Sequence, residues 1–180
     1  MQGVVFTVLS DCVIDNFGLP LWNEVLEDVA PESGGIYTSS RTYSDDELFS
    51  LVGKVAEKTQ TPVKDLIKVF GTYMFPHLLN HMPEAVQPGM SLKDFLLSID
   101  QVIHTEVKKM HPGAYLPSID YEDSCDKTLV MMYTSKRKLC ILAEGLITGA
   151  AAHFGDDISI AHPECMHDGH EACRLEVSMH

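Results

Sequence analysis

The chain has 180 residues, about the length of one domain, and its 45% hydrophobic content suffices for a real core. With 26 acidic against 13 basic residues it carries a formal net charge of −13, which excludes nucleic acid and an anionic membrane as main partners. The longest apolar stretch, Cys140 to Phe154, is interrupted by Glu144 and too short to span a bilayer; the N-terminus lacks a basic lead-in and a small-residue cleavage site. A cytoplasmic protein is expected.

The first thirty residues carry Val5, Leu9, Val13 and Phe17 at helical spacing and stop at Pro31. PESGGIYTSSRTYSD is rich in Ser, Gly and Thr without a period, and reads as a loop. Ser44 followed by Glu47 is a capping box for a helix to about Lys58. Thr61-Pro62 predicts another start, Thr as cap and Pro in the first turn, with an end near Pro76 and a short helix before Pro83. Ser91 with Asp94 opens a long helix over about 92–109, which HPGAYLP ends. Beyond Pro117 the texture changes. Ser118 to Ser124 and Thr128 to Tyr133 read as strands, about 136–154 as a helix, and DISIAH and CRLEVSM, alternating in period two, as a final antiparallel pair. The expected fold class is α+β: one domain over 1–180, with a helical part over about 1–110 packed on an α/β part over about 111–180.

Three adjacent basic residues, Lys136 to Lys138, sit between the apolar runs TLVMM and LCILAEGLI. In an extended segment Tyr133, Ser135 and Arg137 share a face and offer two hydroxyls and a guanidinium fork, a set suited to a carboxylate or phosphate. By spacing alone, a solvated strand-to-helix junction fits as well. His162 and Cys165 have ligand-x-x-ligand spacing, Cys173 lies eight residues on across a turn, and Cys140 is a natural fourth. Three thiolates and an imidazole would make a closed tetrahedral site of structural-zinc type, with His167 and His170 as rival ligands. Such a cluster could also respond to oxidation, which opens a thiol/zinc redox sensor as an alternative function.

Tyr133-x-Ser135-x-Arg137 resembles the Y-x-S-x-R motif of the haem–nitric oxide/oxygen-binding (H-NOX) family, the stand-alone bacterial relatives of the haem domain of soluble guanylate cyclase. The MQGVVFTVL start, SIDQVIHTEVKKM and HPGAYLP follow in the family's order, so the resemblance covers essentially the whole chain. It implies haem b held between the two parts of the fold, with the propionates on Tyr133, Ser135 and Arg137. His104, in VIH, would be the axial iron ligand, and Pro117 would press on the porphyrin. Val5, Leu9, Met74, Leu78 and Leu142 fall where the family lines its distal pocket, and a subset of the family binds zinc at the Cys, His, Cys and Cys spacing. Oxygen-binding members place a tyrosine where this chain has Leu142. Nitric oxide and carbon monoxide, without oxygen, are therefore the expected ligands, Tyr73 and Tyr37 being the nearby hydroxyls. No nucleophile–base pair or phosphate loop is found, so a sensor and not an enzyme is expected. Its signal would pass to a separate protein, a sensor histidine kinase or a cyclic-di-GMP enzyme.

Overall fold

The first helical stretch is two helices, α1 (Gly3–Phe17) and α2 (Leu19–Val29), broken at Gly18, whose φ of 89° a side chain would resist. The computed structural model describes residues 1–180 apart from the side chain of Ser124. Helix α3 (Asp45–Thr59) is capped by the Ser44 hydroxyl, which accepts from the Asp46 amide. Glu47 does not complete the expected box; it takes the hydroxyls of Ser33 and Tyr37 and so ties down the preceding loop. The loop also holds the N-terminus: the Met1 amine donates to the Tyr43 carbonyl and to Asp45, each at 2.7 Å.

Helix α4 (Val63–His81) starts one residue later than predicted, with Pro62 in the cap position, and runs through Pro76. Proline removes the bond to the Thr72 carbonyl, but the helix is held from outside by α7 (Cys140–Phe154). The two cross at small residues: a Cβ built on Gly145 would lie 2.2 Å from the Lys68 carbonyl oxygen, and one on Gly149 2.9 Å from that of Thr72. Helix α7 begins at Cys140 and not near Lys136, because 135–139 form a turn in which Lys138 takes a φ of 51°.

The predicted helix over 92–109 is present but contains a phase change. After α5 (Leu92–Ser98), opened by the Ser91–Asp94 capping box, residues Ile99–Ile103 form a π-turn before α6 (His104–Met110). A π-turn holds one residue more than an α-turn, so everything after it is rotated by about 100°. Hence Val102, which regular spacing puts on the apolar face with Phe95 and Ile99, is 56% exposed, while His104 is brought inward.

Four antiparallel strands, β1 (Ser118–Cys125), β2 (Thr128–Thr134), β3 (Ile158–Glu164) and β4 (Cys173–Met179), form a sheet of order β1-β2-β4-β3. In this register Tyr133 of β2 stands opposite Cys173 of β4, both buried. Pairing of β3 with β4 skips between Ala161 and Glu164, where Pro163 has no N–H to give. One core lies among α1–α4; a second joins α5, α7 and the sheet, with Phe75 of α4 reaching into it. The division of packing thus falls inside α4. Among the described residues, no helix is long and apolar enough to cross a membrane.

Candidate functional site

Between the two cores lies a cavity of about 540 Å³, within the range of cofactor sites. Its walls are mostly aliphatic and aromatic, from α1, α4, the α5–α6 segment, the sheet and α7. Val5, Met74, Leu78 and Leu142 line it, as do His104, Pro117, Tyr133, Ser135 and Arg137. Leu9 does not: it is 1% exposed within the helical core, where α1 packs on α2 and α4.

His104 follows the π-turn directly, and its side chain is 14% exposed. Its Nδ1 lies 3.5 Å from Asp100 Oδ1 and makes no hydrogen bond. Burial lowers its pKa; Asp100 and the Pro117 carbonyl oppose this, and Lys108 adds to it. A neutral imidazole on the wall of an apolar cavity is what an axial iron ligand requires. Asp100 accepts from the Ile119 amide at 3.1 Å, and its own amide donates to the Tyr121 hydroxyl at 3.4 Å, so the π-turn is fastened to β1.

Arg137 is already engaged. Its Nε and Nη2 donate to Asp45 at 2.6 and 3.1 Å, Nη1 donates to the Tyr115 carbonyl at 2.7 Å, and the guanidinium lies 4.9 Å from the Tyr115 ring centroid. Two of its five N–H groups remain for a further anion. Ser135, 3% exposed, accepts from the Arg137 amide at 3.2 Å, and its hydroxyl lies against that of Tyr133. Burial raises the Tyr133 pKa, so its hydroxyl stays a donor. Asp45 itself, pushed up by burial, is held below the usual carboxylate range by the hydrogen bonds of Arg137 and the N-terminal amine. Nothing in the sequence points to this partner, 92 positions from Arg137. The cavity, the free imidazole and these donors fit a haem with two carboxylates.

On the wall made by Val5, Met74, Leu78 and Leu142 no tyrosine is found among the described residues. The Tyr73 hydroxyl donates to Asp15 at 2.6 Å and that of Tyr37 to Glu47 at 2.8 Å, neither lining the cavity.

The ligand atoms of Cys140, His162, Cys165 and Cys173 all lie within 4.8 Å of one another. Cys165 Sγ is 3.8 Å from Cys140 Sγ and 3.9 Å from Cys173 Sγ. A tetrahedron of Zn–S bonds of about 2.3 Å has an edge of roughly 3.8 Å, so the sulfurs stand at metal-site spacing, not disulfide spacing. His162 Nε2 is buried without a partner, an orphan a metal would satisfy. Burial raises the pKa of Cys140 and Cys173, and neighbouring thiols raise that of Cys140 further; a bound cation reverses that preference. His167 Nε2 is 2.8 Å from the Lys138 carbonyl and His170 lies against Glu164, so both stand outside the cluster.

The profile of the haem–NO-binding family matches residues 2–162. An H-NOX protein from Shewanella oneidensis, solved in an Fe(II)NO ligation state, is 37% identical over 100% of this chain and 99% of its own, with a TM-score of 0.93. The Fe(II) unliganded H-NOX protein from K. algicida is 28% identical over 100% of this chain and 97% of its own, with a TM-score of 0.91. Soluble guanylate cyclase gcy-32 of Caenorhabditis elegans is 26% identical over 166 residues, 89% of this chain. The chain spans only 24% of that relative's length.

Proposed function

Because the chain belongs to the haem–NO-binding (H-NOX) family of haem-based gas sensors, we propose that it is a nitric oxide sensor that binds nitric oxide and carbon monoxide but not oxygen. The observation that carries the reading is one cavity lined by His104 and by Tyr133, Ser135 and Arg137 together. His104 would ligate the iron, the three motif residues the propionates, and Pro117 would bear on the macrocycle. The haem, when bound, supplies an iron centre that takes a diatomic gas. Bound oxygen needs a distal donor; the aliphatic wall at Val5, Met74, Leu78 and Leu142 offers none, and Tyr73 and Tyr37 are tied to carboxylates elsewhere. A displacement of His104 would pass through Asp100 to Ile119 and Tyr121 of β1. The output goes to a separate signalling protein, a sensor histidine kinase or a cyclic-di-GMP enzyme, and the chain acts as a sensor, not a catalyst.

The absorption spectrum of the reduced, haem-supplemented protein tests this. A Soret band that moves on adding nitric oxide, and no stable oxygen complex in air, is the expected result; a colourless protein overturns it, and a persistent oxygen complex overturns the gas selectivity. The cluster of Cys140, His162, Cys165 and Cys173 favours zinc, on its sulfur spacings, and motivates a second reading as a thiol/zinc redox sensor. That reading predicts signalling that survives His104→Ala and fails in Cys173→Ala.

A further inference from the structure

Glu144 is the charge that interrupts the apolar run of α7, and among the described residues it is the buried carboxylate, at 7% exposure. Burying a carboxylate is costly unless both oxygens find partners. Both do: Oε1 is 2.7 Å from His162 Nδ1, and Oε2 accepts from Lys68 Nζ at 3.0 Å. Glu144 follows Cys140 by one helical turn, so thiol and carboxylate share a face of α7. Lys68 reaches it because Gly71 and Gly145 let the α4 and α7 backbones touch; a Cβ on Gly71 would lie 2.6 Å from the Leu142 carbonyl.

We propose that Glu144 is the positioning residue of the Cys140/His162/Cys165/Cys173 cluster, presenting His162 Nε2 to the metal, and that Lys68 anchors it to α4; this rests on the metal reading above. The hydrogen bond to Glu144 is made when Nδ1 carries the ring proton, and that leaves the lone pair on Nε2. Nε2 is buried and unpartnered, in a ring that brings a nitrogen within 4.8 Å of each of the three sulfurs. A carboxylate behind a ligating imidazole fixes both its tautomer and its tilt, and here it sits on a helix that also supplies Cys140. Lys68 balances the added negative charge beside three thiolates. Helix α4 also gives Met74 and Leu78 to the cavity wall, so the metal cluster and the cavity share one helix.

The test has two readouts on the reduced full chain. Imidazole nitrogen NMR of the metal-free protein should find His162 protonated at Nδ1, and Zn²⁺ competition against a chromophoric chelator measures affinity. Glu144→Leu should lose about 10–100-fold in Zn²⁺ affinity and the single tautomer. Glu144→Gln, which keeps an acceptor oxygen, should recover most of the loss, Lys68→Met should give a smaller one, and the exposed Glu171→Gln none. Protonation of wild-type His162 at Nε2, or Glu144→Leu binding Zn²⁺ as tightly as wild type, overturns the inference alone. Wild-type protein that takes up no Zn²⁺ overturns the metal reading and the inference with it. Should Glu144→Leu not fold, the wild-type tautomer and the Lys68→Met affinity decide.

Discussion

Arg137 joins the β2–α7 turn to the first turn of α3, and the strength of that joint can be measured. Removing its side chain (Arg137→Ala) deletes two charge-assisted bonds to Asp45, at 2.6 and 3.1 Å, and one to the Tyr115 carbonyl at 2.7 Å. Shielded bonds of this kind contribute about 1.5–3 kcal/mol. Arg137 is 17% exposed but Asp45 33%, which argues for the low end on the Asp45 side. Stacking on Tyr115 adds about 0.5–1 kcal/mol. Asp45 keeps the Met1 amine at 2.7 Å, so its charge is not stranded. A loss of about 2–3 kcal/mol is expected in urea unfolding followed by circular dichroism. In a double-mutant cycle with Asp45→Ala the coupling should be about 1–2 kcal/mol. Arg137→Lys should restore less than half, since one ammonium cannot span both carboxylate oxygens. A coupling near zero would refute the reasoning and mark the pair as solvated. Haem release should be faster in Arg137→Ala.

The same carboxylate predicts a pH dependence. The Asp45 pKa is lowered on folding, so its stabilisation is present above the unfolded value near 3.9 and lost as pH falls through the folded one; urea midpoints of Asp45→Asn and wild type should differ at pH 7 and converge as the pH falls through that lowered value. Gly145→Ala should cost about 1–3 kcal/mol by forcing α7 off the Lys68 carbonyl, read as a shift in urea midpoint, whereas Gly53→Ala, with open space at its Cβ, should not destabilise. The π-turn predicts that Val102→Gln stays within about 0.5 kcal/mol of wild type while Leu96→Ala loses about 2–5 kcal/mol; equal losses would mean a regular helix. Metal analysis should find about one zinc per chain in the reduced protein and none in Cys165→Ser.

What was legible in the sequence were patterns carried by neighbours. The Ser91–Asp94 box formed as read, and period-two alternation turns His162 and Cys173 inward, while Cys165, three positions after His162, joins them because β3 ends at Glu164. Tyr133, Ser135 and Arg137 could be named from spacing and resemblance, and they do line one cavity. Asp45, Glu144 and Lys68 could not be assigned partners. Each acts across a long chain separation: 92 residues from Asp45 to Arg137 and 76 from Lys68 to Glu144, so only the packing of helices brings them together. Local rules also misplaced the ends of α4. Proline at 76 forbids one backbone bond, yet contact with α7 outweighs that loss. Leu9 has the helical spacing of a wall residue, and spacing alone does not say which neighbour covers it.

The π-turn at Ile99–Ile103 makes the winding of the segment between Leu96 and His104 as binding a requirement as the identities of its residues. Substituting a side chain there alters one contact. Straightening the turn into an ordinary α-helix at constant length would swing every later side chain by about 100°, whereas deleting one residue restores α-geometry and leaves the later side chains in phase. At constant length, a regular helix would take His104 out of the cavity and turn Val102 into the core, although both were still encoded. The extra residue is thus taken up by the wider turn, and a single in-frame codon loss between 99 and 103 should disturb the site less than removing His104 itself.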